Sequence, residues 1–567
     1  MPVQIGKISV EETAFPGTKM GYTFGPTQPR GGVMYSQSIL RRILAGLFLL
    51  LCLMHFAAAQ AGQPIFVNPP NINYNGATVD LTGTKATITW AGFTNVVTNV
   101  YTATYAGKTY PPSYAPPTLR VNPGSTLQLN LTNALDNTLY QCFQPHEQPY
   151  TNLHYHGTEV SPLSPGDDVF ITVLSGNSFL YKVPVPTGHP DGMFWYHPHP
   201  HGCSFGQVNN GMSGALIIGD LLADQFPLLA GTPEKVLLVK DGNPSPNLPF
   251  TITVNGLKNP LMNIDENTLQ FFRIANVGTD TFYNIAICPV AGCSNLVRAW
   301  IIAVDGFVLN QPILLDNNTG WLLAPAARVE MVVDGPPPGT YLIQSNFLGS
   351  NVTLATLVST ANATAQQATA AQLNSLQQPP ANRAALYPSD QDFAGATGDS
   401  CTYFTQQVPG CTFNFTESNG NFFINGHLYD ANHLDVSCPL GSKNNWTLCN
   451  QTPEDHAFHL HQIHFRVNDI DGKAIPAPIR DTVDMPHQID SKTPSKVHLT
   501  AAFINPIILG EFVLHCHILA HEDLGMMQNI QICRKEDLNC PPPLPPAASI
   551  VTRPSHKMDG MVKPGNR

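Results

Sequence analysis

The chain has 567 residues, enough for three domains of ordinary size. Charged residues are 12% of it, about half the usual share, while 51 Pro and 44 Gly read as a turn-rich, mostly β protein with few helices. A net charge of −11, with no Lys/Arg run in the body, argues against a nucleic-acid partner.

Residues 1–61 read as an N-terminal extension and export signal. Ser38 to Ala61 has a basic start, an apolar run and a small-residue end, with cleavage expected after Ala59 or Ala61. The apolar run, Ile43 to Phe56, is short for a membrane span, which needs about 20 residues. No stable span is therefore expected after cleavage, and the mature protein is expected to be secreted, extracellular or periplasmic. The polar residues ahead of Met34 are unusual before a signal and make Met34 a second candidate start, and Arg41-Arg42 is a faint twin-arginine feature.

Past the signal come short alternating runs, TLRVNPGSTLQLNLTNAL (Thr118 to Leu135) and GALIIGD (Gly214 to Asp220). Period-2 alternation bounded by Pro, Gly and Asn predicts sandwich strands. The pattern restarts at FTITVNGL (Phe250 to Leu257), continues through IIAVDGFVL and ARVEMVVDG, and restarts again at FFINGHLYD (Phe422 to Asp430). The VNG and ING turns look like corresponding points of related units. This divides the chain into β-sandwich units at 62–225, 226–365 and 384–540, with an Ala/Gln-rich linker at 366–383 and a Pro-rich disordered tail at 541–567.

Of twelve cysteines, Cys52 leaves with the signal and Cys516 sits between two histidines; the other ten suggest disulfides in an exported chain. Cys288/Cys293, Cys401/Cys411 and Cys438/Cys449 are near neighbours that could pair, with the connectivity left open. Glycosylation sequons occur at Asn130, Asn317, Asn351, Asn362, Asn414, Asn445 and Asn450, but composition alone would give several.

Half of the 20 histidines fall in four tight groups: LHYHG (His154, His156), WYHPHPHG (His197, His199), HAFHLHQIHF (His456, His459, His461) and HCHILAHEDLGMM (His515, His517, His521). In a strand, residues i and i+2 project from one face, so each H-x-H aims two imidazoles at one point. A single such pair is ordinary; four with matching parity point to metal. His459 and His461 share a face while His456 points the other way, and His515 and His517 share a face while Cys516 points away. The same two segments therefore serve two sites. One collects His456, Cys516 and His521, with Met526 close enough to join; two His, one Cys and a weak axial Met describe a blue-copper site. The other collects eight imidazoles, His154, His156, His197, His199, His459, His461, His515 and His517, too many for one metal and suited to a cluster where the first and last sandwiches meet. His201, His464, His427, His433, His487 and His498 are expected to pack around these or lie on the surface.

The pattern HYHG…WYHPHxHG…HAFHLHxxxF…HCHILAHEDLGMM over residues 62–535 resembles the three-domain multicopper oxidases of the laccase-like group. GQVNNGMSGALII and AHEDLGMM are more similar to bacterial-type members than to secreted fungal laccases. The resemblance implies an all-β fold of three consecutive cupredoxin-like Greek-key sandwiches and four copper ions. It implies type 1 copper on His456, Cys516 and His521 with Met526 axial, and type 2 copper on His154 and His459. It further implies one type 3 copper on His156, His197 and His517 and the other on His199, His461 and His515. Single electrons from a small reducing substrate would enter at type 1, and O2 would be reduced to water at the cluster, with Cys516, His515 and His517 linking the two. An acid shortly after the first H-x-H is thought to supply protons; LSPGDDVF offers Asp167 and Asp168, of which Asp167 is favoured. Some relatives carry a Glu just before the histidine of ILAHED, where this chain has Ala520, which shifts the expected proton path to Asp167 and Glu522.

A phenolic substrate and a low to medium potential are expected from the axial Met. The alternative is a metallo-oxidase for Fe(II) or Cu(I), to which Glu454-Asp455 beside His456 would contribute; the methionine-rich insert of copper-tolerance members is replaced here by the Ala/Gln linker. Ascorbate or bilirubin oxidation stays open. A non-catalytic copper-binding cupredoxin is disfavoured, because such relatives typically lose ligands and all are present here.

Overall fold

The computed structural model describes residues 62–534 apart from 139–141, 144–147, 316–319, 347–350 and 383–387. The signal stretch, Arg41-Arg42, Asn317 and the Pro-rich tail lie outside the described residues. The chain parts into two units, 1–62 and 63–567, and every strand named below belongs to the second.

Three pairs of sheets follow one another along the chain, drawing their strands from residues 71–218, 234–360 and 402–533. The first has two five-stranded sheets, the second a six- and a five-stranded sheet, and the third two six-stranded sheets. Parallel neighbours such as Asn71–Asn73 beside Thr118–Val121 sit within otherwise antiparallel sheets, so strands cross over between the two layers. The fold is all-β, as the alternation predicts.

Thr126–Ala134 shows why. Its Leu127, Leu129 and Leu131 are buried while the residues between them are partly exposed, so one face closes the core of the first sandwich. Gly214–Ile218 departs from this pattern, with every residue buried. Its Ala215 and Ile217 join Met193, Trp195, Val236 and Leu238 in an apolar layer between the first and middle sandwiches, so both faces of that strand are covered. The VNG and ING turns do correspond: Asn255-Gly256 and Asn425-Gly426 both have positive φ (54°/78° and 54°/75°), the two-residue turn that Asn-Gly favours. The Ala/Gln stretch contains one short helix, Ala370–Ser375, capped by Thr369 and followed by the buried Leu376.

Disulfides join Cys142–Cys203, Cys288–Cys293, Cys401–Cys438 and Cys411–Cys449, and Cys533 is also bonded. The expected 288–293 pair is present, but the 401–411 and 438–449 pairs are replaced. Strand register is the cause. Thr402 lies opposite Ser437, which brings Cys401 to Cys438, and Asn414 lies opposite Cys449, which brings Cys411 within reach. Sequence proximity gave way to sheet pairing. Cys516 is the free cysteine among the described residues, and it is buried.

Candidate metal centre

Two antiparallel strands of the last sandwich, His456–Leu460 and Gly510–Cys516, carry most of the chemistry. Phe458 pairs with Cys516 and His459 with His515. Residues directly opposite share a face, so Cys516 lies on the side of Phe458 and His456, and His515 on the side of His459. The parity expected from the sequence is the parity of the sheet.

On the first face, Cys516 Sγ is 3.4 Å from His456 Nδ1 and 3.8 Å from His521 Nδ1, and the two Nδ1 atoms are 3.1 Å apart. Thr452 Oγ1 sits 2.8 Å from His456 Nε2, which leaves Nδ1 for the site. His521 comes from the short helix Leu519–Asp523 and stacks on Phe422 at 3.8 Å. Met526 is fully buried; its carbonyl accepts from Cys516 N (3.0 Å) and its N donates to His521 O (2.9 Å), closing the loop over the triad. Burial pushes the metal-free Cys516 thiol up to about 12. A buried sulfur with two imidazole nitrogens around it is a donor set for a soft cation that displaces the thiol proton.

On the second face all eight expected histidines meet, every one buried. His154 lies opposite His197, and His156 opposite Trp195, on paired strands of the first sandwich. His154 stacks on His461 and His156 on His459, each with centroids 3.8 Å apart, across the junction with the last sandwich. His515 Nε2 lies 3.1 Å from His461 Nε2 and 3.3 Å from His199 Nε2. His517 packs edge-on to His156 at 4.9 Å.

Several buried ring nitrogens of these histidines have no hydrogen-bond partner: His154 Nε2, His156 Nδ1, His197 Nε2, His459 Nε2, His461 Nδ1 and both of His517. Burial, then the neighbouring rings, lowers His154, His156, His461 and His517 far below the usual imidazole value and takes His197 to about 3. These rings are therefore neutral, each with one nitrogen able to act as a donor atom to a cation. Unmet lone pairs buried together are costly unless cations satisfy them, so the residues fit a metal cluster. Tight triads occur at His154/His156/His197, His154/His459/His461, His199/His461/His515 and His456/Cys516/His521, and Asp481 forms another with His156 and His459.

Acids surround the histidines. Asp167 faces His154 Nδ1 at 3.0 Å and accepts from Tyr155 N and Gln462 Nε2; burial pushes its carboxyl up to about 7. Glu522 Oε2 lies 3.1 Å from His515 Nδ1, and Oε1 3.6 Å from His199 Nε2. Burial acts to raise Glu522, but His199 and His515 outweigh it and hold the carboxyl well below its usual range. Glu454, 44% exposed, reaches within 3.4 Å of His521 Nε2, the edge of the Cys516 triad nearest the surface; burial and Glu417 push it up to about 7.

His427, His433 and His487 are exposed, whereas His201 and His464 are buried beside the cluster. Asp481, Arg328 and Glu159 carry no sequence signal, since none sits in a histidine motif. Gly157, the last residue of HYHG, is the one available pointer: it has φ +82°, and a Cβ there would overlap the Arg328 guanidinium and the Asp481 carboxylate.

Residues 93–222 and 404–535 match family models described as multicopper oxidase. The chain is similar to the multicopper oxidase mco of Staphylococcus haemolyticus, 25% identical over 434 residues covering 73% of this chain and 81% of that protein. It is 24% identical to a laccase of Bacillus subtilis over 453 residues, 70% of this chain and 83% of that protein. Among solved structures, the McoA multicopper oxidase of the hyperthermophile Aquifex aeolicus superposes with a TM-score of 0.63 at 19% identity, covering 83% of this chain and 99% of that one.

Proposed function

Because the chain belongs to the multicopper oxidases, copper enzymes that oxidise a reducing substrate with O2, we propose a full four-copper, laccase-like oxidase exported from the cell. The observation that carries this reading is the split of one tripeptide between two sites. Cys516 belongs to the triad with His456 and His521, while His515 and His517 belong to the eight-histidine junction. One residue's backbone therefore joins the two sites.

In this reading His456, Cys516 and His521 would hold type 1 copper, with Met526 as a further candidate ligand. His154 and His459 hold type 2; His156, His197 and His517 hold one type 3 ion, and His199, His461 and His515 the other. Bound copper would supply single-electron storage and the four-electron reduction of O2 to water. The protein supplies placement, burial and protons. Asp167, against His154, and Glu522, against His199 and His515, are the groups through which protons would pass to the cluster. His521 presents the entry edge. The disulfides among the described residues and the signal-like stretch at 38–61 support export; no helix among the described residues is long and apolar enough to cross a membrane.

The reducing substrate is proposed to be a phenol. A second reading, metal-ion oxidation, is favoured by Glu454 lying against His521 with Glu417 and Asp455 beside it. Oxygen uptake by the copper-loaded protein, offered a methoxyphenol, Fe(II) or Cu(I), tests both against a Cys516→Ser control. Uptake mainly with the phenol, abolished in the control, is the expected result; uptake mainly with a metal ion would move the role to metal oxidation.

A further inference from the structure

Arg328 opens the strand Arg328–Asp334 of the middle sandwich, which contributes none of the eight cluster histidines, yet its fully buried side chain reaches Asp481 beside them. Its donors are all used. Nε donates to Met193 O of the first sandwich (3.2 Å), Nη1 to Ala326 O (3.3 Å) and Asp481 Oδ1 (2.8 Å), and Nη2 to Asp305 O (2.8 Å) and Asp481 Oδ2 (2.6 Å). A guanidinium forked onto a carboxylate fixes its orientation as no point charge can.

Asp481 is where two cluster histidines are oriented. Its Oδ1 lies 3.3 Å from His156 Nε2, and its backbone carbonyl accepts from His459 Nδ1 at 2.9 Å. His156 is thereby left with Nδ1 unpartnered and His459 with Nε2. His156 Nε2 is held by the Asp481 carboxylate with Thr482 Oγ1 at 3.4 Å, and His459 Nδ1 by the Asp481 backbone with Thr482 Oγ1 at 3.3 Å, the same logic that partners of ligand histidines follow elsewhere. Gly157 agrees, because the Arg328–Asp481 pair occupies the space a side chain there would need. Without Arg328 the carboxylate would be a buried anion stripped of its cation, with Thr482 Oγ1 (2.8 Å) left as a neutral donor to Oδ1 and nothing forked onto both oxygens.

We propose that Arg328 is a positioning residue of the copper cluster: by forking onto Asp481 it fixes the carboxylate that engages His156 Nε2 and so leaves His156 Nδ1 free for the metal, making the middle sandwich part of the metal site. This rests on the proposed role of His156 and His459 as copper ligands. Arg273 supplies the comparison, since it is buried in the same sandwich and paired with Glu330 and Glu234 but touches no cluster histidine.

Copper-loaded parent, Arg328→Met, Arg328→Lys and Arg273→Met chains are compared by electron paramagnetic resonance of the non-blue copper, copper content, the Cys516-to-copper absorption and turnover. Arg328→Met is expected to keep the Cys516 absorption while the non-blue signal changes and turnover falls roughly 10- to 100-fold. Arg328→Lys, which keeps the charge but not the fork, recovers part of the loss, and Arg273→Met moves neither readout. An unchanged non-blue signal in Arg328→Met, or equal effects in Arg328→Met and Arg273→Met, overturns the proposal. Should Arg328→Met fail to fold, Arg328→Lys decides, with a parent-like signal and parent-like turnover together counting against it. A parent chain with no non-blue copper signal would instead overturn the ligand reading, so the two failures are distinguishable.

Discussion

Cys516 is kept from disulfide chemistry by its surroundings: it is buried and flanked by two imidazole nitrogens within 3.8 Å. Its neighbours were legible because strand parity is a rule of geometry that needs no partner information. Asp481 and Arg328 were not, because their roles arise from pairing between sandwiches. Met526 is proposed as a further ligand from its place in the motif, and its backbone closes the loop beside the Cys516 triad. Replacing it, Met526→Leu, removes a donor that favours the oxidised ion. A tenfold loss of preference for that state is worth about 59 mV for one electron, and a rise of that order is expected in a redox titration of the blue absorption. An unchanged or lowered potential would contradict axial ligation by Met526.

At the scale of elements, register decides what composition leaves open. The alternation of Thr126–Ala134 was readable, but the pairing of Cys401 with Cys438 depended on Thr402 meeting Ser437 across strands that are far apart in the chain. The same strand region holds a titrating group. Asp435, 4% exposed, accepts from Asn529 N and faces Asp430, Glu511 and His433. Burial, with Asp430 and Glu511 adding to it, pushes the carboxyl up to about 7 from an ordinary 3.8. Between those values the folded chain binds more protons than the unfolded one. The stability this group contributes is therefore fully present below 3.8 and is lost as pH rises toward 7. Since a tenfold change in proton affinity is worth about 1.4 kcal/mol, the loss from this group is on the order of 1 kcal/mol or more. Asp435→Asn should flatten that slope in denaturant midpoints measured across the range. A variant whose midpoint falls as steeply as the parent's would refute the assignment.

At the scale of the molecule, the first and last sandwiches each bring histidines to one junction, and the middle one reaches it through Arg328. Restarts of the strand pattern, two of them marked by Asn-Gly turns, suggested the division into units, and the histidine motifs pointed to the first and last as the ones that meet. Nothing in the middle segment announced its part, because a buried arginine reads in sequence like any other. The central claim is that Cys516 holds one copper while the eight histidines hold three others. Copper content and blue absorption of the loaded parent and Cys516→Ser chains test it most directly. The account predicts four coppers in the parent with the blue band, and three in the variant with the band lost and the non-blue signal kept. A variant that retains the band, or a parent that binds a single copper, would contradict it.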